Sequence, residues 1–147
     1  MPQLHSLFDL SGRTAFISGS SQGLGLALAR GLAEHGAAVV INGRDATKLA
    51  KTAAALQAEL PEARIGTAAF DVTNGAAAMT EIARVEAAIA PIDILVNNAG
   101  IQRRAPLAEM TEAEWRAVLD ADLRSAFLVA RAVAPRMLAR GAGKIIN

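Results

Sequence analysis

Residues 18–25 read SGSSQGLG, with glycines at 19, 23 and 25. They stand between a short apolar run, RTAFIS (13–18), and a helix-period segment, LGLALARGLAEHG (24–36). A chain that leaves a strand and enters a helix must turn sharply, and glycine tolerates the positive φ that such turns often need. A missing Cβ also admits a pyrophosphate against the backbone. The N-terminus of the following helix then offers unpaired N–H groups and the positive end of a dipole. Ser20 and Ser21 add hydroxyl donors. The chemistry that this arrangement suits is the cradling of a phosphate, with Gly19, Ser20, Ser21, Gly23, Leu24 and Gly25 as the candidate residues. Glycines can also serve a tight turn alone, and it is the strand–loop–helix context at the first crossover that favours binding.

Other chemistries are excluded by residue type. The 147 residues contain no cysteine, which removes disulfides, thiolate zinc sites and thiol catalysis. They contain no tyrosine, so no phenol is available as a general acid or base. His5 belongs to the N-terminal lead-in and His35 to the end of a helix, away from the strand C-termini, and neither is expected to be catalytic. No metal site is expected.

The elements that position the glycine loop alternate in type. Strand-like runs at 13–18, 37–42, 64–70 and 92–97 and the closing GKIIN are separated by helical periods at 24–36, 45–60, 75–90 and 111–140. The first helix is expected to bury Leu24, Leu28 and Leu32, four apart, and to end at Gly36. Asp45 is placed to N-cap the second, and Pro61 stops it. The third puts Met79, Ile82, Val85 and Ile89 near one face. The fourth opens with a capping box, Thr111 and Glu114, and Pro135 is expected to kink it late. Near-continuous apolar strands alternating with helices predict an α/β fold: a parallel, doubly wound, Rossmann-like sheet covered on both faces, in strand order 3-2-1-4-5. The chain reads as one dinucleotide-binding domain, residues 1–147, incomplete after the fifth strand. That strand, GKIIN, would be left as an open apolar edge, prone to association.

Composition agrees with a globular domain. Hydrophobic residues make up 52% and charged residues 20%. A formal net charge of +1 provides no basic field for nucleic acid, and no apolar run reaches membrane-spanning length. The opening MPQLHSLFDLSGR lacks the pattern of a signal peptide. A cytoplasmic location is expected.

The spacing G-x-x-x-G-x-G, together with NNAG at 97–100 after the fourth strand, resembles the short-chain dehydrogenase/reductase family over the whole chain. Ser18 stands where that family has threonine and keeps the hydroxyl. FDV at 70–72 matches as well, and the resemblance implies Asp71 near an adenine amino group and Val72 against its ring. It further implies that Asn98, Ala99 and Gly100 line the ribose and nicotinamide side. Asn97 and Asn98 also suit a strand-ending turn.

The second strand runs into INGRD, with no acidic residue at its end to bind a ribose 2′-hydroxyl. Arg44 suits a 2′-phosphate instead, which points to NADP over NAD. A solvated loop arginine is the plainer reading, and Asp45 is a competitor read as a helix cap. VVINGRD and PIDILVNNAGIQRR resemble the gluconate 5-dehydrogenase group of the family, implying NADP-linked interconversion of gluconate and 5-ketogluconate. Arg103 and Arg104 would by type alone be an exposed polar loop. The resemblance makes them candidates for a sugar-acid carboxylate, Arg104 first. The family's catalytic Ser, Tyr and Lys come after the strand that here reads KIIN, so the chain alone is expected to be inactive. The family pattern has an asparagine seven residues after tryptophan, where it helps organise a proton relay. WRAVLDADL puts Asp122 there, on a stripe with Leu119, Ala126 and Val129, either buried and in need of a partner or partly solvated. Complete family members are commonly oligomers. Two other readings are a non-catalytic dinucleotide-binding or assembly module and another doubly wound nucleotide binder such as a methyltransferase. NNAG and the neutral end of the second strand speak against the methyltransferase.

Overall fold

The computed structural model describes residues 7–147, so His5 lies outside the described residues. Five parallel strands form one sheet in the order β3-β2-β1-β4-β5, as the alternation of elements predicts. They are β1 (Thr14–Ile17), β2 (Ala38–Gly43), β3 (Ile65–Ala69), β4 (Ile94–Val96) and β5 (Lys144–Ile146). Helices α1 (Gly23–Glu34), α2 (Ala46–Glu59), α3 (Gly75–Ala88), α4 (Glu112–Leu119) and α5 (Ser125–Arg140) connect them. Phe16 lies at the centre of the register, opposite Val40 on one side and Leu95 on the other.

The strands are apolar throughout because both faces are covered, and alternate residues feed two separate cores. Ala15, Ile17, Val39, Ile41, Ile94 and Val96 pack with α1 and α2. Phe16, Val40, Ala68 and Leu95 pack with α3 and α5, and Phe16 stacks on Phe70 with ring centroids 6.1 Å apart. Each of the larger buried side chains contributes about 1.5–3 kcal/mol by leaving water.

The helix faces differ from expectation in an instructive way. In α1 the buried residues are Gly25, Ala29 and Ala33, whereas Leu24 and Leu28 are exposed, and of the three expected leucines Leu32 alone packs on the core, beside Leu26. In α3, Ala78 is buried beside Ile82 and Val85, and Met79 is exposed. Small residues win these positions because they let a helix axis approach the sheet closely. Leucine's hydrophobicity marks the wrong stripe.

Local capping follows the side chains. Asp45 Oδ1 accepts from the Lys48 N–H at 2.9 Å. Thr111 and Glu114 complete their capping box, and the Thr111 hydroxyl and backbone N–H hold the Glu114 carboxyl below the usual range. Gly36 takes a φ of 93° just beyond α1.

The long fourth helical segment carries Pro135 inside α5. It is interrupted earlier, by a π turn at Asp120–Arg124. The Ser125 hydroxyl occupies the Ala121 carbonyl at 2.5 Å, the oxygen that the Ser125 N–H would take in an α-helix. That N–H bonds the Asp120 carbonyl instead, five residues back. Strand β5 pairs with β4 through Leu95 and Ile145, and Ile145 and Ile146 remain exposed at the sheet edge.

Candidate dinucleotide site

At the carboxyl ends of β1, β2 and β4 lies a groove of about 840 Å³. It sits where the strand order reverses on either side of β1, the place at which ligands bind to open α/β sheets. The glycine loop forms its floor. Gly19 adopts φ 62°, and a Cβ there would come 2.8 Å from the Ala99 Cα. Gly25 has no room either: a Cβ would lie 2.5 Å from Asn98 Nδ2 and 2.6 Å from the Gly19 carbonyl. Gly23 differs, for at φ 59° it faces open space at the first residue of α1.

The loop is held from both neighbouring strands. Asn98 Nδ2 donates to the Ser18 and Gly19 carbonyls, each at 3.1 Å. The buried Ser18 hydroxyl accepts from the Asn98 and Ala99 N–H groups, each at 3.0 Å, so the hydroxyl at this position joins the β1 and β4 loops. From the other side, Asn42 Oδ1 accepts from the Gly19 N–H, while Asn42 Nδ2 donates to the Ala68 and Phe70 carbonyls. Asn42 is therefore the residue that locks β1, β2 and β3 together below the loop. Sequence reasoning saw it only as a neutral strand end. Its burial next to a glycine turn was the missed signal. Asn42→Ala leaves one N–H and two carbonyls without their partner and is expected to cost about 2–4 kcal/mol in chemical denaturation. A change below about 0.5 kcal/mol would contradict this role.

The expected residues divide into two sets. Gly19, Ser21, Gly23, Leu24, Gly25, Arg44, Asp71, Val72, Asn98, Ala99, Gly100 and Asp122 all line the groove. Ser20 does not: it is fully buried, and its hydroxyl donates to the Ile17 carbonyl and accepts from the Asn42 N–H. In this structure its hydroxyl is engaged within the protein and does not face the groove. Arg103 and Arg104 are exposed and lie outside the groove lining, which takes Ile101 and Gln102 from that loop instead. His35 bonds the Gly31 carbonyl at the far end of α1. Among the described residues, no group of three or more His, Asp or Glu could hold a metal ion.

Three features suit a dinucleotide. First, α1 has no side-chain cap at Gln22, whereas α2, α3 and α4 are capped by Asp45, Asn74 and Thr111. The first N–H groups of α1 are thus left without a side-chain acceptor at the groove floor, beside the open face of Gly23. Second, Arg44 is 81% exposed on its side chain and only loosely paired, 4.0 Å from Asp71 Oδ2. Third, Asp71 is fixed: its Oδ1 accepts from the Thr73 N–H at 2.9 Å and hydroxyl at 2.7 Å.

Those bonds, with a smaller contribution from Arg44, hold the Asp71 carboxyl below its usual range. A depressed folded value adds stability that is complete above the ordinary carboxyl pKa, about 4, and is lost as pH falls through the lower folded value. Thr73→Ala should raise the Asp71 midpoint in a carboxyl NMR titration. The Thr73 N–H bond survives this change, so an unchanged midpoint would show that the hydroxyl bond adds nothing to the lowering.

Asp122 is exposed, on the π turn, so the buried alternative for it does not hold. Its Oδ1 accepts from the Ile101 N–H at 2.8 Å and lies over Gly100.

The family model for short chain dehydrogenase matches residues 13–147. The chain belongs to this family. It is 48% identical over 141 residues to the gluconate 5-dehydrogenase of Gluconobacter oxydans (strain 621H), covering 96% of this chain and 54% of that protein. It is 41% identical over 144 residues to the 5-keto-D-gluconate 5-reductase of Escherichia coli (strain K12), covering 98% and 56%. Among solved structures, a gluconate 5-dehydrogenase from Burkholderia cenocepacia J2315 in complex with NADP and tartrate superposes with a TM-score of 0.90 at 51% identity, over 95% of this chain and 54% of that one. The chain thus spans about half the length of these relatives.

Proposed function

We propose that this chain is the dinucleotide-binding part of an NADP-linked oxidoreductase that interconverts the alcohol and ketone of a sugar acid, gluconate and 5-ketogluconate. The observation that carries the reading is the groove itself, in which an uncapped helix N-terminus and Arg44 both face the space that a phosphorylated dinucleotide needs. The α1 N-terminus and the backbone at Gly23 hold the pyrophosphate. Arg44 meets the 2′-phosphate, bidentate and always charged. Asp71 and Val72 take the adenine, and Asn98, Ala99 and Gly100 the ribose and nicotinamide side. The bound cofactor supplies the hydride. A sugar-acid carboxylate would meet Arg104, then Arg103, on the loop that follows the groove. The names of the relatives and the NADP bound in one of them support this reading.

With no tyrosine in the chain, proton transfer to the ketone oxygen has no phenol to serve it. The chain alone should therefore turn nothing over, and we expect it to bind NADPH only weakly. Mixing it with NADPH and 5-ketogluconate should leave the absorbance at 340 nm constant, and steady NADPH oxidation would overturn the proposal of an inactive cofactor-binding part.

A second reading, a non-catalytic assembly module, is favoured by one surface. Trp115, Leu119, Leu123 and Phe127, spaced four apart along α4, the π turn and α5, are all exposed, as are Ile145 and Ile146. Self-association through that stripe would also serve a complete enzyme as a homo-oligomer. Light scattering distinguishes the cases: an assembly module that ignores NADPH favours the second reading. No helix among the described residues is long and apolar enough to cross a membrane. Our reading places the protein in the cytoplasm, acting on small molecules and not on nucleic acid.

A further inference from the structure

Charge is unevenly distributed along the groove. Four charged side chains line it: Arg44, Asp71, Asp120 and Asp122. Arg44 and Asp71 face each other near the ends of β2 and β3. Asp120 and Asp122 occupy the π turn, and Asp122 lies over Gly100 beyond β4. In a doubly wound sheet the adenosine half of a dinucleotide lies over the end of the second strand. The α1 N-terminus holds the pyrophosphate, so the other half extends toward β4, Gly100 and the π turn. The adenosine end of the groove thus carries a balanced pair and the nicotinamide end two carboxylates.

The carboxylates differ in what balances them. Asp120 Oδ1 is 3.7 Å from Arg124 Nη1, and Arg124 also donates to the Thr73 carbonyl. Asp122 has no ion pair among the described residues, and its bond from the Ile101 N–H leaves its charge intact. Arg103 and Arg104, the other cations on the adjoining loop, are exposed and do not line the groove.

We infer that Asp122 sets a preference for the oxidised dinucleotide: its carboxylate, held over Gly100, attracts the positive nicotinamide ring of NADP⁺, an attraction absent for neutral dihydronicotinamide. This rests on the dinucleotide reading above. The two redox forms differ by one unit of charge at that ring, so a single fixed carboxylate separates their affinities. At about 6 Å and an effective dielectric constant of about 40–80, the effect is about three- to tenfold. It is electrostatic and is screened by salt. The π turn matters here because it carries Asp122 into the lining and lets it bond the β4 loop at the same time.

Asp122→Asn separates charge from position, because the amide oxygen still accepts from the Ile101 N–H. Dissociation constants for NADP⁺ and for NADPH, measured by calorimetry on the full chain and on the variant, test the inference. The ratio of the NADPH constant to the NADP⁺ constant should fall about three- to tenfold in Asp122→Asn. Asp120→Asn, whose carboxylate is already balanced by Arg124, should change the ratio less. In the unmodified chain the ratio should also shrink between about 0.01 M and 0.5 M salt, a result that needs no variant to fold. Binding of both forms with a ratio that ignores the substitution and the salt overturns the inference and leaves the dinucleotide reading standing. Failure to bind either form overturns that reading, and this inference with it.

Discussion

Replacing Gly25 with alanine is expected to abolish dinucleotide binding, a loss of about 100-fold or more, and to destabilise the fold by about 2–4 kcal/mol. The added carbon would meet Asn98 Nδ2 at 2.5 Å, the Gly19 carbonyl at 2.6 Å and the Ser20 Cα at 2.8 Å. Two of these are backbone atoms of the same loop and cannot rotate aside. The third is the amide that ties the β1 and β4 loops together through the Ser18 and Gly19 carbonyls. Relief requires α1 to move away from the sheet, which opens the contact made by Ala29 and Ala33 and shifts the helix N-terminus away from the phosphate position. Gly31 provides the control on the same helix. A Cβ there meets nothing within 4 Å, so Gly31→Ala should stabilise by about 0.5–1 kcal/mol through helix propensity. Thermal unfolding of both variants, with NADPH titrations, checks the contrast. Equal behaviour would mean that close packing at the glycine loop does not shape the groove.

Arg44→Ala should weaken NADPH binding about 30- to 100-fold and leave NADH binding within about twofold. A charge-assisted, bidentate contact to phosphate contributes about 2–3 kcal/mol, and NADH offers Arg44 no phosphate to lose. Stability should hold within about 0.5 kcal/mol, because the side chain is 81% exposed and its pairing with Asp71, at 4.0 Å, is weak. Asp45 does not compensate, since its carboxylate is committed to the Lys48 N–H as the cap of α2. Parallel loss for both nucleotides would instead make Arg44 a general support of the groove.

What the sequence makes legible here is whatever local chemistry determines. The five parallel strands show as apolar runs too short for helices, their order follows from the doubly wound topology that alternating helices imply, and the caps at Asp45 and Thr111 follow from side chains that bond their own backbone. The glycine loop is visible because strand, turn and helix each leave a mark. Three features were not legible. Leu24 and Leu28 outrank Ala29 and Ala33 in hydrophobicity, yet closeness to the sheet decides burial, and closeness favours small residues. The proline at 135, expected to kink the segment, lies inside α5, and the interruption comes earlier, at the π turn. The actual break comes from the Ser125 hydroxyl competing for the Ala121 carbonyl, and a single serine in a helix carries no distinctive signal. Ser20 reads as a loop hydroxyl and Asn42 as a neutral strand end. Only the fold shows that they bond each other and the glycine loop below the groove floor, where Ser20 is closed to any phosphate.

The most direct measurement is calorimetric titration of this chain with NADPH and, separately, with NADH. Saturable binding of NADPH, weak in absolute terms but at least about tenfold tighter than NADH, is the predicted result, because Arg44 should supply at least about 1.4 kcal/mol of discrimination. Absence of binding to either nucleotide, or equal affinity for both, would contradict the claim that this groove is an NADP site.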